Sequence, residues 1–174
     1  HSYAVDKYHL YRYGKKVPTI SPDGFTLLDQ NERYSKNNDA VYLDETPIKA
    51  ANPKTFTLLE SYYGKDDRSA FYKTFPIAGS EPATFELLNT TYDYARDKNR
   101  LYYRDRVVKE VDPASFQVFN EEYTKDRDHA YYRMEPIKNA DAPSFNWLKG
   151  SWSLDQYQVF YQNRALKGAD PATF

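Results

Sequence analysis

The chain has no cysteine, one methionine, six glycines and three histidines in 174 residues. Without cysteine there is no disulfide framework, no thiolate nucleophile and no cysteine-based metal site. Six glycines leave no glycine-rich phosphate loop, and no nucleophile elbow is present. Neither sign of charge is in excess: 24 Lys and Arg face 25 Asp and Glu, a formal charge of -1, interspersed along the whole length. Binding to a nucleic-acid backbone draws on a concentrated basic face, so nucleic acid is excluded as a partner. No apolar run reaches the length of a membrane span or a signal sequence. The first residue is His1, not Met, so the chain reads as a processed or trimmed form of something longer, with His1-Ser2 as a cloning remnant.

What is abundant is tyrosine. Eighteen Tyr and ten Phe stand beside a mean hydropathy of -0.89, so burial must come from aromatic rings more than from aliphatic side chains. Tyr adds a hydroxyl that needs a partner or water, which suits thin, repetitive structures where every side chain lies near the surface.

The aromatics recur. Phe25, Phe56, Phe85, Phe116, Phe145 and Phe174 are separated by 31, 29, 31, 29 and 29 residues, and a fixed period near thirty signals a repeat architecture. Counting back from each Phe gives the column Asp6, Asn37, Asp66, Asp97, Asp126 and Asp155, preceded three residues earlier by Tyr3, Tyr34, Tyr63, Tyr94, Tyr123 and Trp152. Five residues after the Asp stand Tyr11, Tyr42, Phe71, Tyr102, Tyr131 and Phe160. Six further on come Val17, Ile48, Ile77, Val108, Ile137 and Leu166. The units run over residues 3–28, 34–59, 63–88, 94–119, 123–148 and 152–174, in a single repeat domain spanning 1–174. Their length differences fall between a unit's last apolar residue and the next unit's first aromatic, which marks a loop.

Asp97-Lys98-Asn99 followed by Tyr102-Tyr103 resembles the DKNYY family of bacterial repeat proteins, and the resemblance covers the whole chain. Other copies keep the Asp and the aromatic pair, as in Asp126 with Tyr131-Tyr132, and lose the Lys-Asn. The first unit departs most, with Asp6-Lys7-Tyr8. The resemblance implies a bacterial protein of the envelope, periplasm or secreted fraction, and it carries no established activity or catalytic residue.

Within a unit, short runs such as Leu101-Tyr102-Tyr103 between turn-rich clusters predict strands. Alternation places Tyr102 and its counterparts on one face and Leu101 and Tyr103 on the other, so both faces are partly apolar. The Asp column predicts turns in which the carboxyl bonds the backbone two residues on. Asp126 and Asp128 alternate as in a calcium loop, but further oxygens and a glycine-rich turn are missing, so no metal is expected. A four-residue connection such as Asp44-Glu45-Thr46-Pro47 predicts a hairpin with its second strand at Ile48, and Pro47, Pro76 and Pro136 place that strand at an edge. Each unit closes on a segment such as Asn52-Pro53-Lys54-Thr55-Phe56. There the cap residue and the Pro predict one short helical turn, with Phe56 and Leu59 on one side.

The expected fold is therefore mostly β: a tandem array of six hairpin units, each closed by a short helical turn, elongated like a solenoid. A closed, propeller-like ring is the alternative, although thirty residues is short for a four-stranded blade.

No catalytic constellation emerges. His9 and His129 share a position that is Ala40, Ser69, Arg100 and Gln158 elsewhere, a variable surface site. Glu121-Glu122 reads as a solvated charge pair. The reading is of a non-enzymatic protein-protein interaction module without a cofactor, one form being an inhibitor or immunity-type binder. Its candidate site is the second aromatic of each doublet, Tyr72, Tyr103, Tyr132 and Tyr161, with nearby Arg104, Arg133 and Arg164. Tyr and Arg are the residue types enriched at interface hot spots, which favours a protein partner. The alternative is a carbohydrate or cell-wall ligand held on a tyrosine ladder.

Overall fold

The computed structural model describes residues 2–60, 62–89 and 91–174; His1, on which the reading of a trimmed chain rests, lies outside them. Among the described residues every regular element is a β-strand. The strands form six separate antiparallel sheets in tandem. The first sheet has three strands, Tyr3–Val5, Leu10–Arg12 and Lys15–Val17. Each later sheet has four, with neighbours in sequence paired as neighbours in space. The second sheet, for example, is Thr26–Leu27, Tyr34–Lys36, Val41–Leu43 and Thr46–Pro47. By packing, the chain divides into two compact bodies, His1–Phe85 with Arg104–Arg106, and Glu86–Tyr103 with Val107–Phe174.

The predicted helical turn is not formed as a helix. Phe56 N–H does bond Asn52 O at 2.9 Å and the Asn52 side chain accepts from Lys54 N–H at 3.1 Å, so the cap works. The chain then leaves after one turn, because Thr57–Leu58 pairs with Tyr63–Lys65 as the first strand of the next sheet. The apolar period there is two, not three: Phe56 is buried, Thr57 is exposed and Leu58, not Leu59, packs on the core. One isolated turn cannot recover the cost of helix nucleation when a sheet edge offers its next residues a ladder.

The hairpin connection is also tighter than four residues. Asp44 and Glu45 alone make the turn, both at positive φ (45° and 67°), and Arg133 and Met134 repeat it at 52° and 65°. This is the two-residue geometry whose twist matches antiparallel strands. Thr46–Pro47, Phe75–Pro76 and Glu135–Pro136 are then the outermost strands of their sheets, where a missing N–H costs nothing.

Both sheet faces are buried, as the alternation predicts, and they serve different neighbours. In the first body, Leu10, Val17 and Ile20 of one sheet enclose Tyr42 of the next, and Tyr34, Val41, Leu43, Ile48 and Phe56 enclose Phe71. In the second body, Tyr94, Leu101 and Phe116 enclose Tyr131, and Tyr123, Ala130, Tyr132, Ile137 and Phe145 enclose Phe160. Within each body the aliphatic face of one sheet is thus a socket for the first aromatic of the doublet that follows.

The Asp column locks this stacking. In all six copies one side-chain oxygen accepts N–H groups two and three residues on, at 2.7 to 2.9 Å. The second carboxylate oxygen reaches the preceding unit's cap: Asp66, Asp126 and Asp155 accept from the N–H of Asn52, Asp112 and Asp141 at 2.8, 3.0 and 2.8 Å. Asn37 makes the equivalent link with reversed polarity, its amide donating to Ser21 O at 3.0 Å. Where the doublet begins with Tyr, the hydroxyl can donate to the same carboxylate, as Tyr102 does to Asp97 at 2.6 Å and Tyr131 to Asp126 at 2.8 Å. The Asp and the Tyr of the motif are one hydrogen-bonded pair.

Spacing alone does not single out a further column, of cations. Lys36, Lys65, Arg96 and Lys125 each turn back onto carbonyls of their own unit's closing turn; Lys125 Nζ donates to Ala142, Pro143 and Phe145 O at 3.1, 3.3 and 3.0 Å. Lys125→Met is expected to cost about 1–2 kcal/mol, since half-exposed charge-assisted bonds are lost and not simply exchanged for water. Lys125→Arg should recover most of it, because Arg96 fills the same role. Urea midpoints of the two variants measure the difference.

Candidate functional site

The candidate tyrosines lie on the third position of each sheet's central hairpin and pair in register with the first aromatic of their own unit: Tyr63 with Tyr72, Tyr94 with Tyr103, Tyr123 with Tyr132, Trp152 with Tyr161. Ring centroids are 4.8 to 5.1 Å apart and tilted by 46° to 59°, the cross-strand packing that stabilises sheets. Tyr72 and Tyr132 are consequently buried, Tyr103 is half-buried and Tyr161 is exposed. The four side chains do not present equal ring faces.

The arginines separate as well. Arg104 and Arg133 sit on hairpin turns at positive φ, whereas Arg164 lies in the last strand, in register with Tyr161. The Arg104 carbonyl accepts the Tyr63 hydroxyl at 3.2 Å. Arg133 stands over the Tyr132 ring at 5.3 Å and donates through Nε to Glu122 Oε1 at 2.8 Å, with Nη2 on the same oxygen.

Of the seven candidates the structure brings Tyr103 and Arg133 together, in a cleft of about 420 Å³ between the fourth and fifth sheets. Its other walls are Tyr94, Glu121, Glu122 and Met134. Glu122 is not the solvated partner of Glu121 that adjacency suggested; it is tied to Arg133 and accepts from the Tyr132 hydroxyl at 3.3 Å. The signal for this is a spacing of eleven residues across the hairpin, which also joins Arg33 to Asp44 at 2.7 Å with the charges reversed.

The cleft departs from the pattern of the other junctions in one respect. The first-column hydroxyls of Tyr34, Tyr63 and Tyr123 donate to backbone carbonyls, of Tyr62, Arg104 and Ser151, at 3.2, 3.2 and 2.7 Å. Tyr94 instead meets Met134 Sδ at 3.2 Å, and a thioether is a weak acceptor. Burial, with the nearby Tyr103 and Glu121, pushes the Tyr94 phenol up to about 12, so at neutral pH it is a neutral hydroxyl in the lining of the cleft. Chemically the site offers two phenols on tilted rings, a soft sulfur, two carboxylates and a guanidinium.

A family model described as the DKNYY family matches residues 1–106 and again 63–174, which together span the chain. No curated protein and no solved structure matches it.

Proposed function

We propose that this chain, which belongs to the DKNYY family, is a non-enzymatic protein-binding module that engages its partner through the loops between sheets. The supporting observation is how its polar residues are divided. Those that recur in the repeat are committed to the fold, the Asp column to turns and caps and the Lys column to closing-turn carbonyls. Those that differ between units, including Glu121, Glu122 and Arg133, line a cleft where the candidates Tyr103 and Arg133 meet. A surface that breaks the repeat symmetry is what a protein partner can recognise in one register. A glycan platform would instead need coplanar exposed rings at regular spacing, and the tilted, buried Tyr72 and Tyr132 lend it no support. An inhibitor or immunity-type role in the bacterial envelope or outside the cell is the specific form this reading takes.

The test is affinity capture from bacterial envelope fractions with the parent chain and with Tyr103→Ser, Arg133→Ser. One protein retained stoichiometrically by the parent and lost by the variant is the expected result, with both chains giving the same circular dichroism. Retention of wall glycan in place of protein points to the carbohydrate reading.

A further inference from the structure

The first body shows how this fold holds an arginine between sheets. Arg33 lies over the Tyr62 ring at 4.9 Å, donates to the Tyr62 hydroxyl at 2.8 Å and is paired with Asp44 through Nε and Nη2 at 3.1 and 2.7 Å. Arg12 stands over Tyr3 and Tyr13 at 4.9 and 5.4 Å and is paired with Glu45 at 3.1 Å and Asp44 at 3.7 Å. In both cases a planar guanidinium stacks on a ring while its edge meets a carboxylate, the combination that distinguishes Arg from Lys.

The cleft between the fourth and fifth sheets has the same chemistry in its walls. Tyr103 supplies a half-buried ring, backed at 5.1 Å by the buried ring of Tyr94. Arg133, the cation that lines it, is turned onto Glu122 and the Tyr132 ring. Glu121 is exposed and has no hydrogen bond or ion pair among the described residues. The position that is Arg12 in the first sheet is Tyr103 here. With Glu121, Glu122 and Arg133 as the charges lining the cleft, one negative charge is left over at neutral pH.

Building on the protein-binding reading, we propose that this cleft anchors an arginine side chain of the partner, its guanidinium stacked on the Tyr103 ring and paired with Glu121. The Tyr94 hydroxyl, whose own proton goes to the Met134 sulfur, accepts a further N–H from the guanidinium edge. The anchor is a basic residue on a protein, recognised by charge and by its flat shape together.

The experiment is a titration of the full chain with N-acetyl-arginine amide, followed by protein NMR, with N-acetyl-citrulline amide as the uncharged isostere. Saturable millimolar shifts at the cleft residues are expected, roughly tenfold weaker for the citrulline compound, from loss of the cation–π and ion-pair contributions. Glu121→Gln, at an exposed side chain without bonds, should keep the fold and reduce arginine binding by a similar factor, while Glu121→Asp restores part of it. Absence of saturable shifts, equal binding of the two compounds, or full binding by Glu121→Gln each overturns the proposal. Partner capture that persists while arginine fails to bind removes the anchor and leaves the binding-module reading standing, so the two fail separately.

Discussion

Between about pH 10 and about pH 12 the protein is expected to unfold, because its buried phenols ionise in the unfolded chain first. Tyr94, Tyr102 and Tyr123 are each pushed up to about 12 from 10.0, in every case chiefly by burial. Tyr102 is raised further by its bond to the Asp97 carboxylate, and Tyr34 and Tyr131 shift the same way. A group whose folded value is raised contributes stability that is complete below the unfolded value and is lost as pH rises through the folded one. At 1.36 kcal/mol per tenfold change in acidity, each of the three phenols contributes roughly 2–3 kcal/mol below pH 10. Together they carry roughly 6–9 kcal/mol, comparable with the whole stability of a small domain. Circular dichroism and phenolate absorbance recorded against pH should therefore change in one step. A smooth ionisation of all eighteen tyrosines near pH 10 with the β signal intact would falsify this.

Asp126→Ala should be the most damaging single substitution in the repeat motif, at about 3–5 kcal/mol, because it strands several buried donors at once. Its carboxylate is 4% exposed and accepts from the N–H groups of Asp128, His129 and Asp112 and from the Tyr131 hydroxyl. Burial pushes this carboxyl up, but the Asp112 and His129 N–H groups, the Tyr131 hydroxyl and the Asp128 N–H more than offset it and hold it below 3.8. With the folded value depressed, its contribution is present above the unfolded value and disappears as pH falls through the folded one. The difference in urea midpoint between parent and Asp126→Ala should accordingly be large at neutral pH and shrink in acid. Asp126→Asn should cost less, since Asn37 shows that an amide keeps the turn; it fails only at the cap, where an amide N–H would face the Asp112 N–H. A variant with an unchanged midpoint at neutral pH would mean that the link between units does not bear on stability.

Several features were legible because they are local. The two-residue Asp turn depends on residues at fixed short offsets, and Pro at the outer strand depends on a donor it does not have. The closing segment is ambiguous for a related reason: Asn52-Pro53 caps a turn whether or not a helix follows, and Phe56, Leu58 and Leu59 fit periods of two and three alike. Only the presence of Tyr63–Lys65 as a pairing edge resolves the ambiguity. The tyrosine ladder is a single column in the sequence, yet Tyr72 and Tyr132 are buried, Tyr103 is half-buried and Tyr161 is exposed. The same column serves as core within the stack and as surface in the last sheet.

By itself the sequence determined that the chain is a β-rich repeat, where its units turn, and which family it belongs to, since these follow from spacing and from side chains acting on their own backbone. Only the tertiary structure decided that the repeated Asp clamps the unit before it, that the lysines cap carbonyls, and that Tyr103, Glu121, Glu122 and Arg133 share a cleft. Those partners come from neighbouring sheets or across a hairpin, through loops whose lengths and residues differ from copy to copy. No period specifies such a meeting; stacking one sheet's aliphatic face on the next sheet's aromatic does.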